Sequence, residues 1–474
     1  MPRLPPAPFS SLPEPVRNPL GHAVHHQSAA RSSSFAPSLR DLIRVGSRRW
    51  FLQLGLGGAA GLSLPGLLRA NAEGATKQAP RSVILIWLSG GPSHIDMWDM
   101  KPEAPVEIRG PFRSIKTAVP GIEISEHLPK QAAMMEKFSI IRSMDATASN
   151  HTPVTFQAAN PNARRTNDGK DGGGYPSMGS VAAKFRGANR PGMPPFVALA
   201  DSMIADVYGA GQLGSAYDPL EGMKVTGKFG MPKGVNVSRL QDRDRLRKEF
   251  DQLRREVDAS RDLTLQDRYV QEALSMVLGG QTERAFDLNQ EPAAVRDRYG
   301  RHSMGEKTLL ARRLVEAGVT FVTLSDAWGH WDHHGDDVRW MGIEKGLKPM
   351  LPELDHGITN LVSDLEDRGL LDSTLVLILG EFGRTPKINE KAGRHHWEQV
   401  MSLLVAGGGM RHGQVIGATD RTGSSIKERP LGPGDLAATV FHHLGIDPHG
   451  YWTNPRGRPT PLVEGNAAPI RELA

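Results

Sequence analysis

Four short stretches of this chain crowd His, Asp, Glu and Arg against the ends of apolar runs. Ser89-Gly-Gly-Pro-Ser-His94-Ile-Asp96, Asp326-Ala-Trp-Gly-His330-Trp-Asp332-His333-His334 and Glu381-Phe-Gly-Arg384 each follow such a run, and Gly393-Arg-His395-His396-Trp397 precedes one. Imidazole nitrogens and carboxylate oxygens are the ligands of a hard or borderline divalent cation. The stretch from Asp326 to His334 is the densest candidate, through Asp326, His330, Asp332 and His334. The competing reading is a wet loop whose His and Asp pair with one another. Glu381 could ligate metal, and Arg384 could hold a phosphate or sulfate bidentately. Alternatively the two form an ion pair that fixes a turn. Adjacent side chains usually diverge, so one of His395 and His396 would ligate while the other orients it or carries protons; both could also be plain surface histidines. Asn150-His151-Thr152 follows another apolar run, and the Thr152 hydroxyl is a candidate nucleophile beside a metal, although loop hydroxyls are common. His442-His443 falls in a predicted helix and reads as packing.

Such loops matter because open α/β sheets bind ligands outside the carboxyl ends of their strands. Continuous apolar runs bounded by Gly and Pro predict buried strands at Val83–Leu88, Phe138–Arg142 and Phe196–Leu199. Farther on, helix 304–317 leads to strand Val319–Leu324, and helix 348–368 to strand Thr374–Leu379. Strand Met401–Val405 then precedes helix 434–444. Strands alternating with helices imply an α/β fold with a mostly parallel sheet covered on both faces. Residues 238–277 differ. Leu246, Phe250, Leu253 and Val257 recur at helical spacing in a charge-dense stretch, whose simplest reading is an amphipathic helix with a solvated face. The segment from about 201 to 300 therefore reads as a helical insertion or cap. No internal repeat is visible.

Composition narrows the classes. The chain has 474 residues and no cysteine, which excludes disulfides, zinc thiolates and a cysteine nucleophile. Its pI of 9.3 belongs to the leader. Residues 1–72 hold eight of the 57 Lys and Arg but two of the 52 acids, so the remainder is near neutral. That balance gives no argument for nucleic acid. Residues 1–46 are rich in Pro and Ser and predict disorder. Ser47-Arg48-Arg49-Trp50-Phe51-Leu52-Gln53 resembles a twin-arginine export signal; an uncharged run to Leu68 and Ala70-Asn71-Ala72, a small-x-small cleavage site, follow. The expected product is periplasmic or extracellular and free of the membrane after cleavage. An uncleaved anchor is the alternative.

The motifs together resemble the DUF1501 family, exported bacterial proteins abundant in planctomycetes. The resemblance spans about Val83 to His449 and rests on Leu88-Ser-Gly-Gly-Pro-Ser-His-Ile-Asp-Met-Trp-Asp99 with Lys101-Pro102, Gly211-Gln-Leu-Gly-Ser-Ala-Tyr-Asp-Pro219, Gly329-His-Trp-Asp-His-His334, Glu381-Phe-Gly-Arg-Thr-Pro386, Gly393-Arg-His-His-Trp397 and Gly407-Gly-Gly. That family resembles a branch of the alkaline phosphatase and sulfatase superfamily. The resemblance implies a three-layer sandwich with a mostly parallel mixed sheet over residues 80–460, carrying the helical insertion. It implies a metal region at Asp332, His334, Glu381 and His396, a nucleophile near Thr152, and a two-metal site in the better-known members. Departures are plain: Ser89 stands where the superfamily usually has Asp, Glu381-Phe382 replaces an Asp-His pair, and Arg394-His395 replaces Arg-Asp. Without cysteine, a cysteine-derived formylglycine is impossible. The expected activity is metal-dependent hydrolysis of a phosphate or sulfate ester, on a small molecule or a polysaccharide, with Arg384 on a non-bridging oxygen and His395 or His396 moving protons. The cation is Zn, Mn, Ca or Mg without distinction. The rival expectation is a non-catalytic protein of this fold, a binding or assembly partner in extracytoplasmic polysaccharide degradation.

Overall fold

The computed structural model describes residues 79–163, 174–201, 206–225, 280–335 and 340–474. The leader and the amphipathic stretch 238–277 lie outside the described residues. Eight strands form the main sheet: β1 Ser82–Trp87, β2 Phe138–Met144, β3 Phe196–Leu199, β4 Leu220–Glu221, β5 Phe321–Ser325, β6 Thr374–Leu379, β7 Met401–Gly407 and β8 Gln414–Ile416. Their order across the sheet is β8-β2-β7-β6-β1-β5-β3-β4. All pair in parallel except β7, which runs antiparallel to both neighbours, β6 and β2. The sheet is thus mixed and mostly parallel.

Alternate side chains along each strand point to opposite faces, and each face has its own core. Ile84, Ile86, Val322, Leu324, Val376 and Ile378 pack with α3 (Ser303–Ala317) and α4 (Lys348–Asp367). Val83, Leu85, Trp87, Leu375, Leu377 and Leu379 pack with α2 (Met178–Phe185) and α5 (Pro433–Leu444), behind the one-turn α1 (Val154–Ala158). Burial on both faces explains why these strands read as unbroken apolar runs. The segment 201–300 contributes to this body at both described ends. Leu220–Glu221 extends the sheet by pairing with β3, and the helices Gln281–Phe286 and Ala293–Tyr299 pack on α3.

The direction of β7 matters most for function. The carboxyl ends of β1, β2, β3, β5 and β6 share one edge. Because β7 runs the other way, the segment that precedes it reaches the same edge. There a two-residue antiparallel ribbon sets His396 opposite Arg384 and Trp397 opposite Gly383. The ribbon is anchored from below by a buried ion pair. Arg394 Nε and Nη2 reach the Asp96 carboxylate at 2.7 and 2.9 Å, and Nη2 also donates to Ile108 O at 2.7 Å. Arg394 is 1% exposed and Asp96 0%.

Removing one partner of such a pair strands a buried charge. Asp96→Ala should therefore lose about 3–5 kcal/mol of unfolding free energy in a denaturant titration. An effect below about 1 kcal/mol, the range of exposed pairs, would contradict this anchoring role.

Candidate metal centre

The loop after β5 reaches the edge because the loop after β1 lets it pass close. Gly90 has φ +113°, and a Cβ there would lie 2.5 Å from Asp332 N. The backbone crossing is fixed by Trp331 N donating to Ser89 O at 2.8 Å. Asp332 is consequently 2% exposed, and a buried carboxylate needs compensation. Arg384 Nη2 donates to its Oδ1 at 2.6 Å, and His396 Nε2 meets the same oxygen at 3.0 Å. His151 Nε2 lies 3.0 Å from Oδ2, with His334 Nε2 at 3.5 Å from it. His151 Nδ1 in turn meets Glu381 Oε1 at 2.8 Å, and Gly90 N donates to that oxygen at 2.8 Å. Asp332, His334, Glu381 and His396 are thus joined in one cluster, and His151 is its link.

Electrostatics follow from these contacts. Burial alone would raise the Asp332 carboxyl, but the bonds from His151 and His396 and the Arg384 charge hold it far below the usual carboxylate range. Burial would lower His151, yet its bonds to Asp332 and Glu381 and their charges push it up to about 9. The ring is then an imidazolium clamped between two carboxylates. Rings crowd around it: Phe382 lies 5.4 Å and Trp328 5.5 Å from His151 between centroids, and His396 4.9 Å. Asp206, from the stretch after β3, is pushed up to about 7 by burial; the Glu381 charge adds to the shift and the Ser89 hydroxyl opposes it.

The donor set fits a divalent cation. One ligand atom each from His151, Asp332 and His396 all lie within 4.8 Å of one another, and Glu381 Oε2 is buried without a hydrogen-bond partner. Mixed imidazole and carboxylate donors suit a borderline ion.

Other predicted residues sit elsewhere. Asp326 accepts from Ser303 Oγ at 2.7 Å, with Lys307 Nζ at 3.8 Å and His330 Nδ1 at 4.0 Å. The proposed Asp326–His330 ligand pair is therefore a side network, because the chain turns between residues 326 and 332. His395 is exposed and its Nε2 faces Asn389 Nδ2 at 3.4 Å, so the adjacent histidines diverge and His396 takes the inner place. The Thr152 hydroxyl donates to Asn150 Oδ1 at 2.7 Å. Arg384 does not fit the expectation of an ester-binding group. It is 1% exposed, and its donors are engaged by Gly91 O at 2.7 Å, Gly90 O, Arg394 O at 3.2 Å and Asp332. Its guanidinium braces Asp332 and the loop crossing instead. The sequence reading gives His151 no ligand role of its own, although its place just past the second strand is a signal for one.

A model of the DUF1501 family, described as a protein of unknown function, matches residues 80–474. The chain belongs to the DUF1501 family. No curated protein matches it. Among solved structures it is similar to Ps i-CgsB in complex with k-i-k-neocarrahexaose, at 11% identity over 78% of this chain and 73% of that one, with a TM-score of 0.38. It is also similar to the phosphonate monoester hydrolase SpPMH from Silicibacter pomeroyi, at 12% identity over 83% and 76%, with a TM-score of 0.36. The sulfatase PsFucS1 from Pseudoalteromonas sp. matches at 12% identity over 80% and 70%, with a TM-score of 0.34.

The raised His151 pKa has a definite sign. Its stabilising contribution is fully present below the unfolded value near 6.5 and is lost as pH rises through about 9. Metal-free protein should therefore melt at progressively lower temperature between these values, and His151→Gln should flatten that slope. With a divalent cation added the trend should reverse, because ligation requires a neutral ring and releases its proton. Calorimetry across that window, with and without chelator, checks both signs.

Proposed function

We propose that this protein is an exported, metal-dependent hydrolase of phosphate or sulfate esters. The observation that carries this reading is the convergence of His151, Asp332 and His396 within 4.8 Å at the ligand-binding edge of the sheet. These three side chains, with Glu381 beside them, would hold the cation. When bound, it supplies Lewis-acid charge that orients an ester and stabilises charge on its oxygens.

The chain's own residues divide the remaining work. Asp332 fixes the two imidazoles, and Arg384 fixes Asp332. The His396 side chain is 37% exposed, so it faces the approach to the site. Thr152 adjoins His151 and remains the candidate nucleophile; its hydroxyl donates to Asn150 Oδ1 at 2.7 Å, which would orient the oxygen toward the phosphorus or sulfur, while the ester's alcohol would depart from that atom as the new bond forms. His395, exposed on the rim, would carry protons to solvent. The Trp328 ring, half-buried, walls the site beside His151. No described helix is long and apolar enough to cross a membrane; export rests on the leader motif alone.

A non-catalytic role has one specific observation in its favour. Without a cation, the His151 bridge and the Arg384 brace already balance Asp332 and Glu381, so the fold does not need a reaction to explain the cluster.

The full chain loaded with Mn²⁺ or Zn²⁺ should turn over an aryl phosphate or an aryl sulfate. Asp332→Asn should remove both bound metal and turnover, and Thr152→Ala should cut turnover by at least about 10²-fold, in the range expected for loss of a proton-handling or attacking group. If the metal-loaded wild type cleaves neither ester, the non-catalytic role is the correct one.

Export has its own test. Changing Arg48 and Arg49 to Lys should leave precursor in the cytoplasm, while wild-type protein recovered outside it should begin at Glu73 by mass spectrometry. Normal export of the double variant would remove the twin-arginine reading.

A further inference from the structure

We propose that His94 is a positioning residue for the metal centre: a buried ring, locked in one tautomer, that sets the ribbon from which Arg384 and His396 reach Asp332. The sequence places His94 in one of the ligand-rich loops, yet both of its ring nitrogens meet backbone. The residue is 1% exposed. Its Nδ1 receives the Arg384 N–H at 3.3 Å, and its Nε2 lies 2.8 Å from Gly423 O. A backbone N–H can only donate and a carbonyl can only accept. Nδ1 must therefore be unprotonated, and Nε2 must carry the proton and donate. Burial keeps the ring neutral by pulling its pKa below the ordinary value; Arg394 and Lys101 add to that pull, while Asp99 and the Gly423 bond oppose it.

The Arg384 bond matters because of how the ribbon is built. Its backbone bond from Thr385 N to His395 O, at 2.9 Å, makes Arg384 and His396 a facing pair that exchanges no backbone bond. The Arg384 N–H thus turns outward, and His94 is the group it meets. Both side chains of this pair reach one atom, Asp332 Oδ1, at 2.6 and 3.0 Å. A shift of the Arg384 backbone would therefore move both. The ring also packs so closely on Gly383 that a Cβ there would lie 2.6 Å from Nδ1. On its far side, Gly423 belongs to a turn that the Asp420 carboxylate holds through Thr422 N and Ser424 N, at 2.8 and 3.0 Å. Ser424 O of the same turn accepts from Trp397 Nε1 at 2.7 Å. Both strands of the ribbon are thus tied to this turn, Trp397 directly and Arg384 through the His94 ring.

The test splits the two bonds in the full-length protein. His94→Asn places an acceptor near the Nδ1 position, and His94→Gln places a donor near the Nε2 position. Each variant loses one buried hydrogen bond, so both should melt below wild type. Only His94→Gln should loosen the ribbon. Its backbone amides over 383–397 should exchange faster with deuterium, and Mn²⁺ should bind about 10-fold more weakly, as expected for losing a group that orients a ligand. His94→Asn should keep wild-type exchange and Mn²⁺ affinity. In ¹⁵N-histidine spectra of metal-free wild type, the ring that is missing from His94→Asn should show an unprotonated Nδ1 and a protonated Nε2. Equal effects of the two variants on exchange and Mn²⁺ affinity would reduce His94 to packing and overturn the proposal, as would a protonated Nδ1. Should His94→Gln fail to fold, a loss of Mn²⁺ affinity in His94→Asn overturns it and retained affinity supports it. The Mn²⁺ readout rests on the metal-centre reading above; amide exchange and the ring spectrum do not. If wild type binds Mn²⁺ but cleaves neither ester, the hydrolase reading falls and this role stands on the difference between Asn and Gln.

Discussion

The loops at the carboxyl edge of the sheet are arranged around one carboxylate that water cannot reach. Asp332 is buried because the loop after β5 must pass under Gly90, where any side chain would collide with it. A carboxylate there must be matched by charge and by hydrogen bonds, or it would cost several kcal/mol. The match comes from three separate parts of the chain. Arg384 arrives from the loop after β6, His396 from the segment before β7 and His151 from the loop after β2. None of these partners is near Asp332 in sequence, so the carboxylate works as a tie between loops. Arg384 extends the tie, because the same guanidinium holds the carbonyls of Gly90, Gly91 and Arg394.

The charge balance explains how such a cluster can be both a stable piece of structure and a metal centre. Without a cation, the doubly bonded His151 ring supplies positive charge between Asp332 and Glu381. A divalent ion would take over that task and expel the ring's proton, so proton and metal compete for one place. Such competition would make affinity rise with pH, and the geometry would be retained while the counter-charge is exchanged.

Much of the frame was legible in the sequence. The runs at 374–379 and 196–199 became strands with the expected bounds, and helix 304–317 extended by a single residue. Apolar periodicity reports burial, and burial on two faces is what a central strand demands. The direction of β7 was not legible, because an apolar run carries no polarity; yet that direction is what delivers His396 to Asp332. Arg384 was given to a ligand because its type suits one. Its burial, which denies that role, arises from a crossing of loops that no local pattern encodes. Asp326 and His330 had the right types and a plausible spacing, but spacing along a loop without regular structure does not fix direction. His151 stands among the strand-edge histidines but carries no assigned role from sequence, since a single histidine in a loop has no partner visible until distant segments meet.

Asp206 shows the same limit in its strongest form. Nothing in its neighbourhood marks it, and its significance lies wholly in what surrounds the side chain. A protein can bury an acid as a neutral group, at the cost of holding its proton, or as an ion facing a cation. Burial pushes the Asp206 carboxyl up to about 7, with the Ser89 hydroxyl opposing that shift. Glu381 leaves Oε2 buried and bare while its other oxygen stays engaged with His151 and Gly90. A residue with one oxygen satisfied by the fold and the other left bare is a hinge between a structural network and a ligand. That division of labour within Glu381 is the physical reason to read the edge of this sheet as a site rather than as a well-packed corner.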